Sequence, residues 1–282
     1  MKMILAELLS IGDELLYGQT LDTNSHWMSV ELSKIGVKVI RKTTVGDVDS
    51  EILKAFAEAE QRADIVLITG GLGPTSDDLT KPCLATYFQC GMAMNEEALA
   101  EVTAFFKSRG RELTELNRLQ AMLPTACEKI TNPIGTAPGM WFDRGEKIFM
   151  SMPGVPHEMK KMMTDRVLPR IQKKFALPII HHKIIRTIGL GESFLAAKIE
   201  AWEKALPPHI KLAYLPSLGE VKLRLTGMGQ SYESLRQETD ALAETLKERI
   251  GQFIYGYGEE PIEVTIGNML RDRHLTLSIA ES

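Results

Sequence analysis

The chain has 282 residues, 33 Lys and Arg against 37 Asp and Glu, and a formal net charge of −4. That length supports about two domains, and the slightly acidic balance argues against nucleic acid as the main partner, because such binders carry a basic excess or a basic face. No run of about 18 apolar residues is present and Glu7 interrupts any secretory core, so no membrane contact and a cytoplasmic location are expected.

Elements alternate from the start. Met3–Ile11 reads as strand, Asn24–Ile35 as amphipathic helix, Val37–Val45 as strand, Ser50–Arg62 as helix and Ile65–Thr69 as a fully apolar strand. Helical patterns follow at Lys81–Phe88 and at Glu96–Ser108, the latter stopped by Gly110. This alternation predicts an α/β domain over 1–176, a mostly parallel sheet with helices on both faces. Residues 132–154 are turn-rich around a Lys147–Met152 element, and Pro156 is placed to open a helix over His157–Phe175 with Met159, Met162 and Met163 as core. A small α+β unit is expected over 177–256, from strand Ile179–Ile188, helix Ser193–Ala205, strands Ile210–Tyr214 and Val221–Thr226, and helix Tyr232–Ile250. Residues 257–282 hold a helix and a strand-like Leu275–Ala280, expected to be the truncated start of a third domain.

The most informative stretch is Thr69–Thr80, where the buried strand empties into Gly70-Gly71-Leu72-Gly73-Pro74-Thr75-Ser76-Asp77-Asp78. Glycines let backbone N–H groups approach an anion, and a helix start adds partial positive charge. Paired carboxylates beside a phosphate cradle point to a divalent cation between them. The competing reading is an ordinary strand-to-helix turn with Asp77 and Asp78 as caps. The loop lacks the G-x-G-x-x-G spacing of dinucleotide folds and the GK[ST] ending of a P-loop, and no Nudix-type glutamate box is present. Ligands of parallel sheets bind at the carboxyl ends of strands, so Gly12–Glu14 is expected to meet this loop at one edge. Cys83, Cys90 and Cys127 form no C-x-x-C pair and fit reduced thiols, and His181-His182 has no companions for a zinc site.

Several segments together resemble the CinA family, whose N-terminal domain is similar to molybdopterin-binding domains of the MoaB and MogA type. They are Gly12-Asp13-Glu14-Leu15-Leu16-x-Gly18, Asp22-Thr23-Asn24, the 70–80 loop, Asn132-Pro133-x-Gly135-Thr136-Ala137-Pro138-Gly139, Pro153-Gly154-Val155-Pro156, Gly191-Glu192-Ser193, and Tyr214-Leu215-Pro216-Ser217 with Gly219-Glu220-Val221. They stand in family order over nearly the whole chain. The resemblance implies ADP-ribose pyrophosphatase activity, giving AMP and ribose 5-phosphate, in the first domain and a KH-like connecting domain after it. It also implies a C-terminal nicotinamide-mononucleotide amidohydrolase domain, of which Thr276–Ser282 would be only the beginning.

With that resemblance, Asp78, Asp77 and Glu14 are the candidate catalytic and metal-holding carboxylates, with Asp22 helping to hold a divalent Mg, Mn or Co ion. Asn24, Gly70, Gly71, Gly73, Thr75, Lys81, Asn132, Gly135, Thr136 and Pro138 are the candidate substrate contacts. Capping competes for Asp22 and Asn24, a structural turn for Pro138, and a helix-start position for Lys81. Two other functions are open: molybdopterin binding of MogA type, and a non-catalytic oligomerisation or RNA-binding module. Leu72, Pro74 and the paired aspartates depart from the MogA loop, and Gly189-Leu190-Gly191-Glu192 lacks the G-x-x-G spacing of an RNA-binding KH loop. A small-molecule nucleotide substrate and a homodimer are the expected partners.

Overall fold

The computed structural model describes residues 3–280, which divide into two compact units, one ending at Leu177 and one beginning at Pro178. In the first unit, β1 (Leu5–Ile11) is followed by α1 (Asp13–Leu16), α2 (Thr23–Lys34), β2 (Lys38–Val45), α3 (Asp49–Arg62), β3 (Ile65–Thr69) and α4 (Thr80–Tyr87). Then come β4 (Met92–Met94), α5 (Glu96–Ser108), α6 (Glu115–Arg118), β5 (Met122–Pro124), β6 (Glu128–Ile130), β7 (Gly139–Arg144) and β8 (Lys147–Met152). The unit closes with α7 (Pro156–Met162), a π-helical turn over Met163–Val167, and α8 (Leu168–Lys174).

The main sheet has the order β2–β1–β3–β8–β7–β6. Strands β2, β1, β3 and β8 run parallel, and β7 and β6 extend the sheet antiparallel. Two-residue alternation sends each strand to both faces. Ala6, Leu8, Ile65 and Leu67 pack in one core with Met28 and Leu32 of α2 and Met159 and Met162 of α7. Leu9, Ile11, Val66 and Ile68 pack in another with Phe56 and Ala59 of α3 and Leu84 of α4. Burial of each such aliphatic side chain stabilises the fold by roughly 1.5–3 kcal/mol, and with helices on both sides the central strands are buried throughout rather than alternately.

In the second unit, β9 (Ile179–Ile188), α9 (Glu192–Lys204), β10 (Ile210–Ser217), β11 (Glu220–Gly229), α10 (Tyr232–Ile250), β12 (Ile254–Tyr257) and α11 (Ile262–Asp272) follow in order. The sheet is wholly antiparallel, β10–β11–β9–β12. Here the two-residue period shows cleanly: Val221, Leu223 and Leu225 of β11 are buried with Leu195 and Ile199 of α9 and Ala243 and Leu246 of α10, while their neighbours are not.

Two expectations are corrected. The turn-rich 132–154 stretch contains a second strand, β7, whose short run Met140-Trp141-Phe142 is buried inside the sheet. Residues 275–280 form no strand: no neighbouring strand among the described residues offers a ladder, and Leu275, Leu277 and Ile279 are exposed. Glu281 and Ser282, the end of the motif that resembles an amidohydrolase start, lie outside the described residues.

Candidate functional site

Parallel strands deliver their carboxyl ends to one edge, where Ile11 is level with Val45 and Thr69 with Met152. The segments leaving that edge surround a cleft of about 420 Å³. Gly12–Glu14 and the 70–78 loop meet there, as the strand-end argument expects. Among the described residues five carboxylates line it, from Glu14, Asp47, Asp77, Asp78 and Glu158, and no Lys, Arg or His does. Gly70, Gly71, Gly73 and Thr136 contribute to its walls. A pocket of about 90 Å³ adjoins it through shared Ile11, Glu14, Gly70 and Gly154, and holds Asp22 and Asn24.

The carboxylates are not equivalent. Asp78 turns back into its own loop, accepting from Gly73 N at 2.7 Å, Thr75 N at 2.9 Å and Thr75 Oγ1 at 2.5 Å. Gly73 is required by this contact, since a Cβ there would sit 2.3 Å from Asp78 Oδ2. Thr75 therefore donates to Asp78, and the donors of this part of the loop are already spent on a carboxylate. Asp22 caps α2: its Oδ1 accepts from Ser25 N at 2.9 Å and its Oδ2 from Ser10 Oγ at 2.8 Å.

Asp47 differs from both. Its Oδ2 accepts from Asp13 N at 3.0 Å, and Asp13 Oδ1 accepts from Asp47 N at 3.3 Å. Burial pushes its carboxyl above the ordinary value; the Asp13 amide opposes this, and repulsion from Asp13, Glu14 and Asp77 adds to it. Glu158, in the first turn of α7, accepts from Asn132 Nδ2 at 2.7 Å.

Six of the expected substrate contacts, Asn24, Thr75, Lys81, Asn132, Gly135 and Pro138, do not line the main cleft. Lys81 is buried, donates to Gln120 O at 2.9 Å, and has its pKa lowered to about 8 by burial, with Asp78 and Cys127 opposing. Asn132 is buried and also donates to Ala137 O at 3.0 Å, so it shapes the 132–137 turn. Pro138 is buried and does not line the cleft. Asn24 donates to Gly154 O at 2.7 Å, which ties α2 to the 153–155 segment, while its Oδ1 is buried without a hydrogen-bond partner. His157 is exposed, Cys83 is buried, and Cys90 and Cys127 are half-buried free thiols.

Asp47 and Glu158 are the cleft carboxylates that sequence reasoning missed. Asp47 had a readable signal: it lies two residues after a strand, in Val45-Gly46-Asp47, the same context that singled out Gly12–Glu14. Glu158 had none, because a helix-start glutamate is ordinary and only the fold brings it to the 132–137 turn.

Fold and site together define an α/β domain with an acidic strand-end cleft, joined to a small antiparallel α+β domain. Residues 7–173 match the family model described as "Probable molybdopterin binding domain", and residues 182–256 match "Damage-inducible protein CinA KH domain". The chain is 47% identical over 279 residues to a CinA-like protein of Cytophaga hutchinsonii, covering 99% of this chain and 67% of that protein. It is 43% identical over 282 residues to a CinA-like protein of Flavobacterium psychrophilum, covering 98% and 67%. The crystal structure of a CinA protein of unknown function from Thermoplasma acidophilum superposes with a TM-score of 0.54 at 35% identity, covering 60% of this chain and 96% of that one. The chain belongs to the CinA family. Among the described residues no helix is long and apolar enough to cross a membrane.

Proposed function

We propose that the strand-end cleft binds a phosphorylated small molecule through a divalent cation and hydrolyses the phosphoanhydride of ADP-ribose to AMP and ribose 5-phosphate. One observation carries this reading. Among the described residues, five carboxylates and no basic side chain line a cleft beside a glycine-rich loop, and an anionic ligand enters such a cleft only with a cation between the charges.

Among the described residues no three His, Cys, Asp or Glu side chains stand together as a preformed metal cage. Asp22 and Asp78 accept hydrogen bonds from the protein on both carboxylate oxygens, which favours Glu14 and Asp77 to hold the ion. Thr75 and its own amide hold Asp77 below the ordinary carboxylate range, so it is ionised and ready for a cation. Their oxygen donors fit a hard cation that keeps much of its water and takes further ligands from phosphate. The chemistry such an ion supplies is neutralisation of anhydride charge and activation of water. Asp47, whose proton affinity is raised by burial and by its acidic neighbours, accepts the proton of the attacking water at a carboxylate oxygen. Asp78 keeps the loop in shape.

A second reading has support of a different kind. The family match to a "Probable molybdopterin binding domain" favours binding of a phosphorylated pterin without hydrolysis. One panel separates the two: purified protein with Mg, Mn or Co, assayed on ADP-ribose, NAD, FAD, molybdopterin and nicotinamide mononucleotide. Hydrolysis of ADP-ribose that is lost on chelation and restored by metal is the expected result. Full activity after exhaustive chelation rules the metal out, and molybdopterin binding with no hydrolysis moves the assignment to the second reading.

A further inference from the structure

Beside the cleft, a groove of about 500 Å³ runs between α5 and residues 131–135. Phe105, Ser108, Arg109, Thr131 and Ile134 are among its lining residues. The Arg109 guanidinium carbon lies 3.5 Å from the centroid of the Phe105 ring. Arg109 is exposed, and among the described residues no carboxylate forms an ion pair with it. The opposite wall is fixed from beneath: Lys129 donates to Glu101 Oε1 at 2.5 Å and Thr131 Oγ1 at 3.0 Å.

The partition between groove and cleft is thin. Asn132 lines the groove and Glu158 the cleft, and the two are hydrogen-bonded at 2.7 Å. Gly135 faces the groove and Thr136 the cleft. A Cβ on Gly135 would meet Glu158 Oε2 at 2.1 Å and Asn132 Nδ2 at 2.6 Å, so any side chain there would push the partition apart.

We propose that this groove is a second subsite, which takes the planar nitrogen heterocycle, purine or pterin, of the ligand whose phosphates occupy the cleft. The proposal rests on the cleft being a phosphate site, as argued above. Among the described residues no aromatic side chain lines the cleft, so a heterocycle bound there would have no ring to stack on. Across the partition, the outer face of the Arg109 guanidinium, backed by Phe105, offers a flat cationic platform of the kind on which bases stack. A ligand with phosphates at its centre and a ring at one end would lie over the Asn132–Glu158 partition, one end on each side.

The test uses the full chain and three probes: AMP, 6-hydroxymethylpterin and inorganic pyrophosphate, with Mg present. Calorimetry gives affinities and amide chemical shifts give location. AMP or the pterin is expected to shift Phe105, Arg109 and Ile134; whichever binds more tightly identifies the heterocycle. Arg109→Ala, at an exposed position, is expected to weaken the heterocycle by about tenfold or more, as loss of one base stack does, while pyrophosphate affinity stays the same. Arg109→Lys keeps the charge without the plane and is expected to remain weak; full recovery overturns the stacking platform. Heterocycle binding that leaves the groove shifts unchanged, or that Arg109→Ala does not weaken, overturns the subsite, as does failure of both ring compounds to bind. Groove binding without ADP-ribose hydrolysis under any metal sinks the hydrolytic reading and keeps the subsite. Hydrolysis with an unperturbed groove does the reverse.

Discussion

The two sides of the cleft carry carboxylates of opposite kinds. On the β3 side, Asp78 receives three donors from Gly73 and Thr75 within its own loop. On the β1–β2 side, Asp47 receives one amide and otherwise faces Asp13, Glu14 and Asp77. A carboxylate ringed by N–H and O–H groups acts as part of the backbone scaffold. One ringed by other carboxylates gains from a proton or a cation. Adjacent in sequence, Asp77 and Asp78 serve different sides: Asp78 closes the loop, while Asp77, held below the ordinary carboxylate range by Thr75 and its own amide, supplies part of the charge that Asp47 feels.

The largest expected effect probes the charged side. Asp47→Asn should lower metal-dependent turnover by about 10²–10⁴-fold, the usual worth of a positioned base, without lowering the melting temperature. In the metal-free protein the Asp47 carboxyl should keep its proton to a pH above the ordinary carboxylate range, because burial and its acidic neighbours raise its pKa. A cation held by Glu14 and Asp77 should draw it back down, as an NMR titration with and without metal checks. A rate loss that simply follows a loss of fold, measured by thermal melting on the same samples, would break the comparison.

Lys81 gives the next effect, in stability alone. Its folded pKa of about 8 lies below the ordinary 10.5. Between those values the unfolded chain keeps a proton that the folded chain has released, so stability rises with pH through that window and the deficit is complete below it. At ~1.36 kcal/mol per unit the deficit is about 3 kcal/mol, and loss of the hydrogen bond to Gln120 O returns about 1 kcal/mol. Lys81→Met should therefore stabilise the protein by about 2 kcal/mol at pH 7, less by pH 10, with turnover unchanged because Lys81 does not line the cleft. Denaturant melts across pH check the sign; a gain independent of pH would contradict it.

Asp78→Asn probes the scaffold side. The amide group turns one acceptor into a donor that faces the Gly73 or Thr75 N–H, leaving part of the loop unsatisfied, at a cost on the order of 1–2 kcal/mol. Turnover should fall together with the melting temperature. A large rate loss with no thermal shift would make Asp78 a metal ligand in its own right.

How far this division was legible follows from what each signal depends on. The parallel core announced itself, because Ile65–Thr69 and the helices around it bury unbroken or periodic apolar runs. The strand-end rule then placed Gly12–Glu14 and the 70–78 loop at one edge without any side-chain information. The rest depended on direction. Whether a loop carboxylate points into a cleft or back to an amide is decided by a few backbone angles around Gly73, and sequence spacing does not encode them. The burial of Lys81, singled out as a substrate contact, was invisible for a related reason: a helix-start lysine normally stays in water, and only the fold buries this one against the Gln120 carbonyl. Strand β7 was hidden among prolines and glycines, since three buried apolar residues are too few to show a period.

The smallest effect concerns Asp22, where capping and metal-holding were both open on sequence grounds. The structure gives both of its oxygens hydrogen-bonding partners, Ser25 N at the start of α2 and Ser10 Oγ on β1. Losing an N-cap of this type costs about 1 kcal/mol, which for a domain of this size is a drop of about 2–4 °C in melting temperature. Asp22→Ala should show that drop with metal activation of turnover unchanged. Asp22→Asn sharpens the test, because asparagine caps a helix as well as aspartate does but carries no charge. If Asp22 is a cap, the Asn variant recovers the wild-type melting temperature and behaves as wild type toward the metal. If its charge helps to hold the ion, Asn fails just as Ala does, with the metal concentration for half-maximal activity raised tenfold or more while the melting temperature is restored. That second pattern would extend the charged side of the cleft into the adjoining pocket beside Asn24, whose buried Oδ1 has no partner there.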